Sequence, residues 1–365
     1  MNNVGSLVFY LFAFSLSAFL MYYGNKRGYK VIVWLSLAIP IIVSGLRFNV
    51  GTDYTTYVAM YNDLSHLSLT QYLSIQPLNL EIGFYLLAKL SSFMMGDHIL
   101  LFTLSSILTV VFLYLGLNQY SIKHKALVYF LFLTITFPFT FDLVRQGIAM
   151  SICFFAFSFI IKHKPKKYVP LIIMAGLFHE SALFLLPFYF INRLVGGKIN
   201  NYNRILIKSL LLASILLLSL PYIYNLLQAV PLFSKYLAYQ SEIVSSGANN
   251  IFYLNFIIIM ATLLLYKRIV SLNSKNIYFY VFTIIYLILL TLGFTSPFVK
   301  RIALYFSLFS PLILASTVDV FSDKLGKFIC YTLLIAYGLL YFYLSFYLMG
   351  QADIFPYHFV TWSSL

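Results

Sequence analysis

The sequence predicts an all-α, polytopic integral membrane protein of about 10–12 transmembrane or re-entrant helices. Three observations predict it. Hydrophobic residues make up 61% of the 365 residues and charged residues only 9%, with a mean hydropathy of +0.89. A soluble domain carries roughly 25% charged residues, so there is too little polar surface here to coat a globule. The apolar residues also fall in runs near the roughly 20 residues that span a bilayer. Finally, the basic residues cluster in short segments between those runs, the usual pattern of cytoplasmic loops. One membrane domain, 1–365, accounts for the chain.

The runs, in order, are 4–23, 31–47, 98–117, 126–141, 142–161, 205–226, 251–266, 277–293, 301–318 and 328–349. The first has no basic residue before it and no small-residue cleavage site after it, so it is a spanning helix rather than a signal peptide. Lys26, Arg27 and Lys30 follow it. Further clusters are Lys162, Lys164, Lys166 and Lys167, then Arg193, Lys198, Arg204 and Lys208, then Lys267, Arg268 and Lys275, then Lys324 and Lys327. With these loops cytoplasmic, the N-terminus, the loop 48–80 and the tail after Gly350 lie outside.

Two more apolar stretches, 81–95 and 168–191, disturb this parity if each crosses once. The expectation is that 81–95 dips into the outer face, and that 168–191 is a re-entrant hairpin or two short helices. Irregular backbone at membrane depth survives only when buried in protein or lining a watery cavity. Both stretches therefore mark places for a site.

The net charge of +14 is used up in the short loops, with no aromatic-and-basic patch, so no nucleic-acid partner is expected. Cys153 and Cys330 lie inside apolar runs, which argues against a disulfide framework. There is no GxSxG, CxxC, HExxH or P-loop, and the six histidines are dispersed. No metal site and no cofactor are expected.

In this orientation, 18 of the 24 Lys and Arg residues are cytoplasmic. The exceptions are Arg47, Lys89, Arg145, Lys235, Lys300 and Arg301. An arginine at a helix centre costs roughly 2.5–3.5 kcal/mol on insertion scales, and less near an interface. Arginine also makes bidentate, charge-assisted bonds to phosphate, which lysine does not. Arg47, Arg145 and Arg301 are thus candidates to converge on a phosphate or diphosphate. The plainer alternative is that they snorkel to lipid headgroups. Of the ten acids, Asp53, Asp63, Glu81, Asp142 and Asp353 fall outside. Asp142 and Arg145, three apart at a helix start, are spaced to pair. His179 sits beside Glu180 in the middle of the second irregular stretch. A histidine in an apolar run is more often a bonded core residue, but a position at the turn of a hairpin favours function.

Several segments, taken in order, resemble a known family. Ser44-Gly45-Leu46-Arg47 followed by Val50-Gly51-Thr52-Asp53-Tyr54 and Tyr57 is similar to the first signature of the EpsG family of Wzy-type polysaccharide polymerases. Glu81, Gly83 and Tyr85 resemble the second, and Val144-Arg145-Gln146-Gly147-Ile148-Ala149 the central arginine motif. Phe178-His179-Glu180-Ser181-Ala182-Leu183 resembles the histidine motif, and Arg301-Ile302-Ala303-Leu304-Tyr305-Phe306 the late arginine–tyrosine motif. Pro356-Tyr357-His358-Phe359 extends the set.

The resemblance implies a GT-C-like membrane glycosyltransferase of capsule, exopolysaccharide or O-antigen assembly in the bacterial cytoplasmic (inner) membrane. Its partners would be undecaprenyl-diphosphate-linked oligosaccharides as donor and acceptor, with a chain-length regulator and a flippase of the same pathway. The site would face outside. In such a transfer the diphosphate leaves readily, so fixed cationic donors matter more than an acid. Arg145 and Arg301 are the candidates, with Arg47 assisting. The attacking hydroxyl needs a proton acceptor, for which Asp53, Glu81 and His179 are the choices and His179 is preferred. Tyr54 and Tyr57 are placed to stack on sugar rings, with Gln146 as a further glycan contact. Most of the 31 tyrosines need no such role, because tyrosines gather at membrane interfaces anyway. The competing functions are a lipid-linked-oligosaccharide flippase, an O-antigen ligase and an inactive scaffold. Clustering of charge at one face and the lack of two similar halves argue against the flippase.

Overall fold

A computed structural model describes residues 1–75, 81–195, 247–292 and 297–360. Among the described residues the chain is helical, with a single isolated antiparallel bridge between Arg47 and Phe359. Five helical stretches are long and apolar enough to cross a membrane: Asn3–Arg27, His98–Tyr120, Val144–Ile161, Val299–Val320 and Lys324–Leu348. The pair Asn255–Leu264 and Tyr266–Leu272, bent by 70°, makes a sixth if it counts as one span. The protein is therefore a polytopic membrane protein, as the composition requires. The expected run 205–226 lies outside the described residues.

The local sequence explains where these helices begin and stop. In α1 (Asn3–Arg27) the Asn2 side chain accepts the Gly5 amide at 2.7 Å, and Gly28 ends the helix with φ 73°. The expected 31–47 and 126–141 runs become shorter helices, α2 (Lys30–Gly45) and α7 (Lys125–Ile135). After α7 the chain tightens into a 3-10 turn over Phe137–Phe141, where Pro138 has no amide to continue an α-helix.

The chain forms two compact units. The first comprises Met1–Ser158, Val169–Leu183 and the residues from Tyr331 onward. In it α1 packs on α2 and α7, and α2 packs on α6 (His98–Tyr120). The second comprises Phe159–Tyr168 and Phe184–Cys330. There Phe282 sits against Phe309 and Phe306 at 4.5 and 6.1 Å, joining Asn276–Leu292 to the helices that follow it.

The segment 48–75 is built as structure, not as open chain. It carries α3 (Tyr54–His66) and α4 (Leu69–Ile75). These pack beside α5 (Ile82–Met94), whose Lys89 donates to the Ser65 carbonyl at 2.8 Å, at the negative end of α3. Tyr72 stacks on Tyr85 with ring centres 4.3 Å apart, and the Tyr85 hydroxyl donates to the Leu67 carbonyl at 3.2 Å.

Both irregular stretches are built of short elements. The 13 residues of α5 reach only about 20 Å at 1.5 Å per residue, short of a ~30 Å hydrocarbon core. The 168–191 stretch falls into α9 (Pro165–Gly176) and a run of tight 3-10 turns over Glu180–Phe190, with His179 at the break. α5 and this second stretch meet directly, where the Gly83 amide donates to the Leu177 carbonyl at 2.7 Å. A Cβ on Gly83 would lie 2.6 Å from that same oxygen. Gly83→Ala should therefore force α5 off the 177–179 segment, at about 1–3 kcal/mol. Thermal unfolding in detergent measures this, and an unchanged midpoint would mean that the contact is not made.

Candidate functional site around Arg145 and Glu81

The first signature folds as a braced loop between α2 and α3. Arg47 is 1% exposed, and its guanidinium lies between two aromatic faces, 4.5 Å from the Phe102 ring centre and 4.6 Å from that of Phe141. Its Nη1 donates to the carbonyl and hydroxyl of Ser44, both at 2.9 Å, and its Nη2 donates to the Phe141 carbonyl at 3.0 Å. The C-terminal tail lies against the same loop. The Phe48 amide donates to His358, Val360 donates to Leu46, and Gly51 donates to Asp353, at 2.9, 3.0 and 3.0 Å. Tyr357, fully buried, donates its hydroxyl to the Val43 carbonyl at 3.0 Å.

Gly51 turns this loop with φ 103°, and a Cβ there would meet Asp142 Oδ1 at 3.1 Å. Asp142, in the connection before the spanning helix Val144–Ile161, lies close under 51–53, with the Thr52 hydroxyl 3.4 Å from its Oδ2. Burial, and then the nearby Asp53, push the Asp142 carboxyl up to about 7. Asp53 itself precedes α3 and accepts the Tyr57 amide on its carbonyl at 3.0 Å. The spacing of Asp142 and Arg145 suggests an ion pair, but the structure gives Arg145 another partner.

That partner is Glu81, brought from 64 residues away. Arg145 Nη1 and Glu81 Oε2 form a close, charge-assisted ion pair. Tyr57 lies beside the same guanidinium, which is 5.9 Å from the Phe84 ring centre. Tyr57 in turn packs edge-on against Phe84 at 5.6 Å. Side-chain exposure is 19% for Arg145 and 7% for Glu81, so the arginine is the more accessible member. Its Nε has no hydrogen-bond partner among the described residues. First, second and central motifs therefore meet at one cluster: Tyr57, Glu81 and Arg145.

The remaining candidates sit around or apart from that cluster. His179 is buried, its Nδ1 2.7 Å from the Ser181 hydroxyl, in the segment that Gly83 holds two residues beyond Glu81. Gln146 is 1% exposed, on α8 (Val144–Ile161). Tyr54 is buried and stacks on Phe102 with ring centres 5.0 Å apart. Arg301 belongs to the second unit, half-buried on Pro297–Ser307. Among the described residues no group of three or more His, Cys, Asp or Glu is arranged to hold a metal ion. Sequence reasoning passed over Asp97 and His98, which contact Tyr54. The signal was an N-cap acid directly before an apolar run.

Fold and cluster together define a multi-pass, helical membrane protein with a charged pair between the start of a span and the start of a short helix. The chain belongs to the EpsG family, matching it over residues 29–359, and so has a polysaccharide-polymerase type of role. No curated protein and no solved structure matches it.

Arg47→Lys tests the loop. Lysine keeps the charge but cannot reach Ser44 and Phe141 together or fill the slot between two rings. The expected loss is about 2 kcal/mol, read as a lower unfolding temperature. Arg27→Lys, at the exposed end of α1, should leave the midpoint unchanged.

Proposed function

We propose that this protein polymerises oligosaccharide repeat units carried on a lipid diphosphate, undecaprenyl diphosphate, at the outer face of the bacterial cytoplasmic membrane. The observation that carries this reading is Arg145: a partly accessible arginine side chain held by the Glu81 carboxylate beside Tyr57. Such a group is oriented before any substrate arrives, which is what stabilising developing charge requires.

In the proposed transfer, a sugar hydroxyl of the acceptor attacks the anomeric carbon of the donor glycan. The new C–O bond forms as the bond from that carbon to the diphosphate oxygen breaks, and its electron pair leaves on the diphosphate. Arg145 donates to that anion as it forms, with Glu81 keeping the guanidinium in place. The hydroxyl proton goes to a nearby base, for which Asp53, Glu81 and His179 are the candidates and His179 is preferred. The carbon passes through an oxocarbenium-like state that a carboxylate also stabilises. Tyr57 and Tyr54 would border the glycan, with Gln146 behind them. Arg301 is proposed as a second diphosphate contact. Arg47, whose terminal nitrogens are already engaged by the fold, supports the loop instead.

Arg145→Ala is expected to abolish long-chain polymer in cells while the protein stays in the membrane. The check is a gel of surface and lipid-linked glycans beside an immunoblot of membranes. Single repeats displayed outside with the ladder gone support the polymerase. Repeats trapped in the cytoplasm would indicate a flippase, and finished polymer left on its carrier a ligase. A normal ladder from a well-expressed variant would sink the assignment of Arg145.

A further inference from the structure

Asp97 and His98 open α6 and touch the signature loop from outside the Arg145 cluster. Asp97 Oδ1 accepts the Ile99 amide at 3.2 Å and lies 2.8 Å from His98 Nδ1. A carboxylate only accepts, so Nδ1 carries the hydrogen. Nε2 of the neutral ring is then an acceptor, and the Tyr54 hydroxyl lies 3.1 Å from it. The donors and acceptors are thereby assigned: Tyr54 O–H to His98 Nε2, His98 Nδ1–H to Asp97. The far end of this chain is fixed by the helix cap. The near end, Tyr54, opens α3 directly after the signature loop, in which Asn49 holds a left-handed backbone with φ 50°.

We propose that His98 is a positioning residue for the 47–54 loop, and that protonation of its ring loosens that loop. This goes beyond the polymerase reading and does not require it. A protonated His98 carries hydrogens on both nitrogens, so Nε2–H would face the Tyr54 O–H. To relieve that opposition the phenol must turn its hydrogen away in a site where it is only 4% exposed. The bond that fixes Tyr54, at the end of the loop, is then lost. Tyr54 stacks on Phe102, one wall of the Arg47 slot, so the loop's buried charge lies next in line. The groups that face His98 are Asp97 on its own turn and Tyr54 and Tyr61 on α3, Tyr61 with its ring edge 6.3 Å away. Arg47 acts on Tyr54 from beyond Phe102, and Asp142 titrates under the same loop. A pH response alone would therefore be ambiguous, and a variant must separate His98 from Asp142.

The experiment is hydrogen–deuterium exchange of the 48–54 amides in the full chain in detergent. It is run at about pH 4.5 and about pH 7.5, the lower well under the ordinary histidine value near 6.5 because charging a largely buried ring is costly, and corrected for intrinsic rates. The wild-type loop should open about fivefold more at the lower pH, as one net hydrogen bond is lost. His98→Gln puts an amide oxygen near the Nε2 position and does not titrate. It should protect the loop at both pH values, leaving only the smaller step due to Asp142. His98→Phe should leave the loop open at both. A His98→Gln variant that keeps the whole wild-type step would overturn the proposal, as would a His98→Phe variant protected like wild type at pH 7.5. Should His98→Phe fail to fold, the His98→Gln comparison decides alone. Loss of polymer activity is not the readout, so failure here leaves the assignment of Arg145 untouched.

Discussion

A single buried cation organises the first unit. Arg47 is almost wholly withdrawn from solvent, and no acid lies within ion-pair distance of it among the described residues. Desolvating a charge is costly, and here the compensation is spread over three hydrogen bonds and two aromatic faces. Each of those partners comes from a different place: Ser44 from the end of α2, Phe102 from α6, Phe141 from the turn before α8. Satisfying one guanidinium therefore fixes three elements relative to one another. The loop between Arg47 and Tyr54 hangs from that junction, and the Asp142 carboxylate and the tail close around it.

Arg145 is the same residue type under the opposite accounting. It has an acidic partner and a neighbouring phenol, and part of its side chain reaches the surface. The terminal nitrogens of the first arginine are spent on the fold; the second is held by one carboxylate and is the more accessible of the two. Glu81 is positioned for this by close backbone contact two residues on, where Gly83 meets Leu177. That contact also sets the histidine segment beside the start of α5. The glycine of the second signature thus has a mechanical reason: any side chain would separate the two short elements that border the charged pair.

Much of the fold was legible in the sequence, because hydropathy reports the solvent directly. Among the described residues the long runs became helices, and the two stretches that upset the charge parity are built of short elements. The spans were less regular than hydropathy implies, since Pro138 ends α7 early and a bend divides Asn255–Leu264 from Tyr266–Leu272. Local spacing misled at Asp142 and Arg145. Three residues apart, they are near enough to pair, but a carboxylate from a distant helix takes the arginine, and the aspartate turns to the loop. The burial of Arg47 was not legible either, because its aromatic slot is assembled from residues 55 and 94 positions away in the chain. Asp97 and His98 were overlooked because they stand at the edge of an apolar run, where an acid reads as a helix cap and nothing more.

The tail has a consequence for how the molecule comes into being. The signature loop pairs with residues near 353–360, and the bond from Tyr357 to Val43 spans 314 positions. A chain emerging from the ribosome makes its early helices long before that strand of tail exists. Until then the loop has only its Arg47 braces, and contacts of such long range form late. The final shape of the loop is thus withheld until residues 353–360 have been made. Fragments released before them would insert into the lipid but could not close this loop.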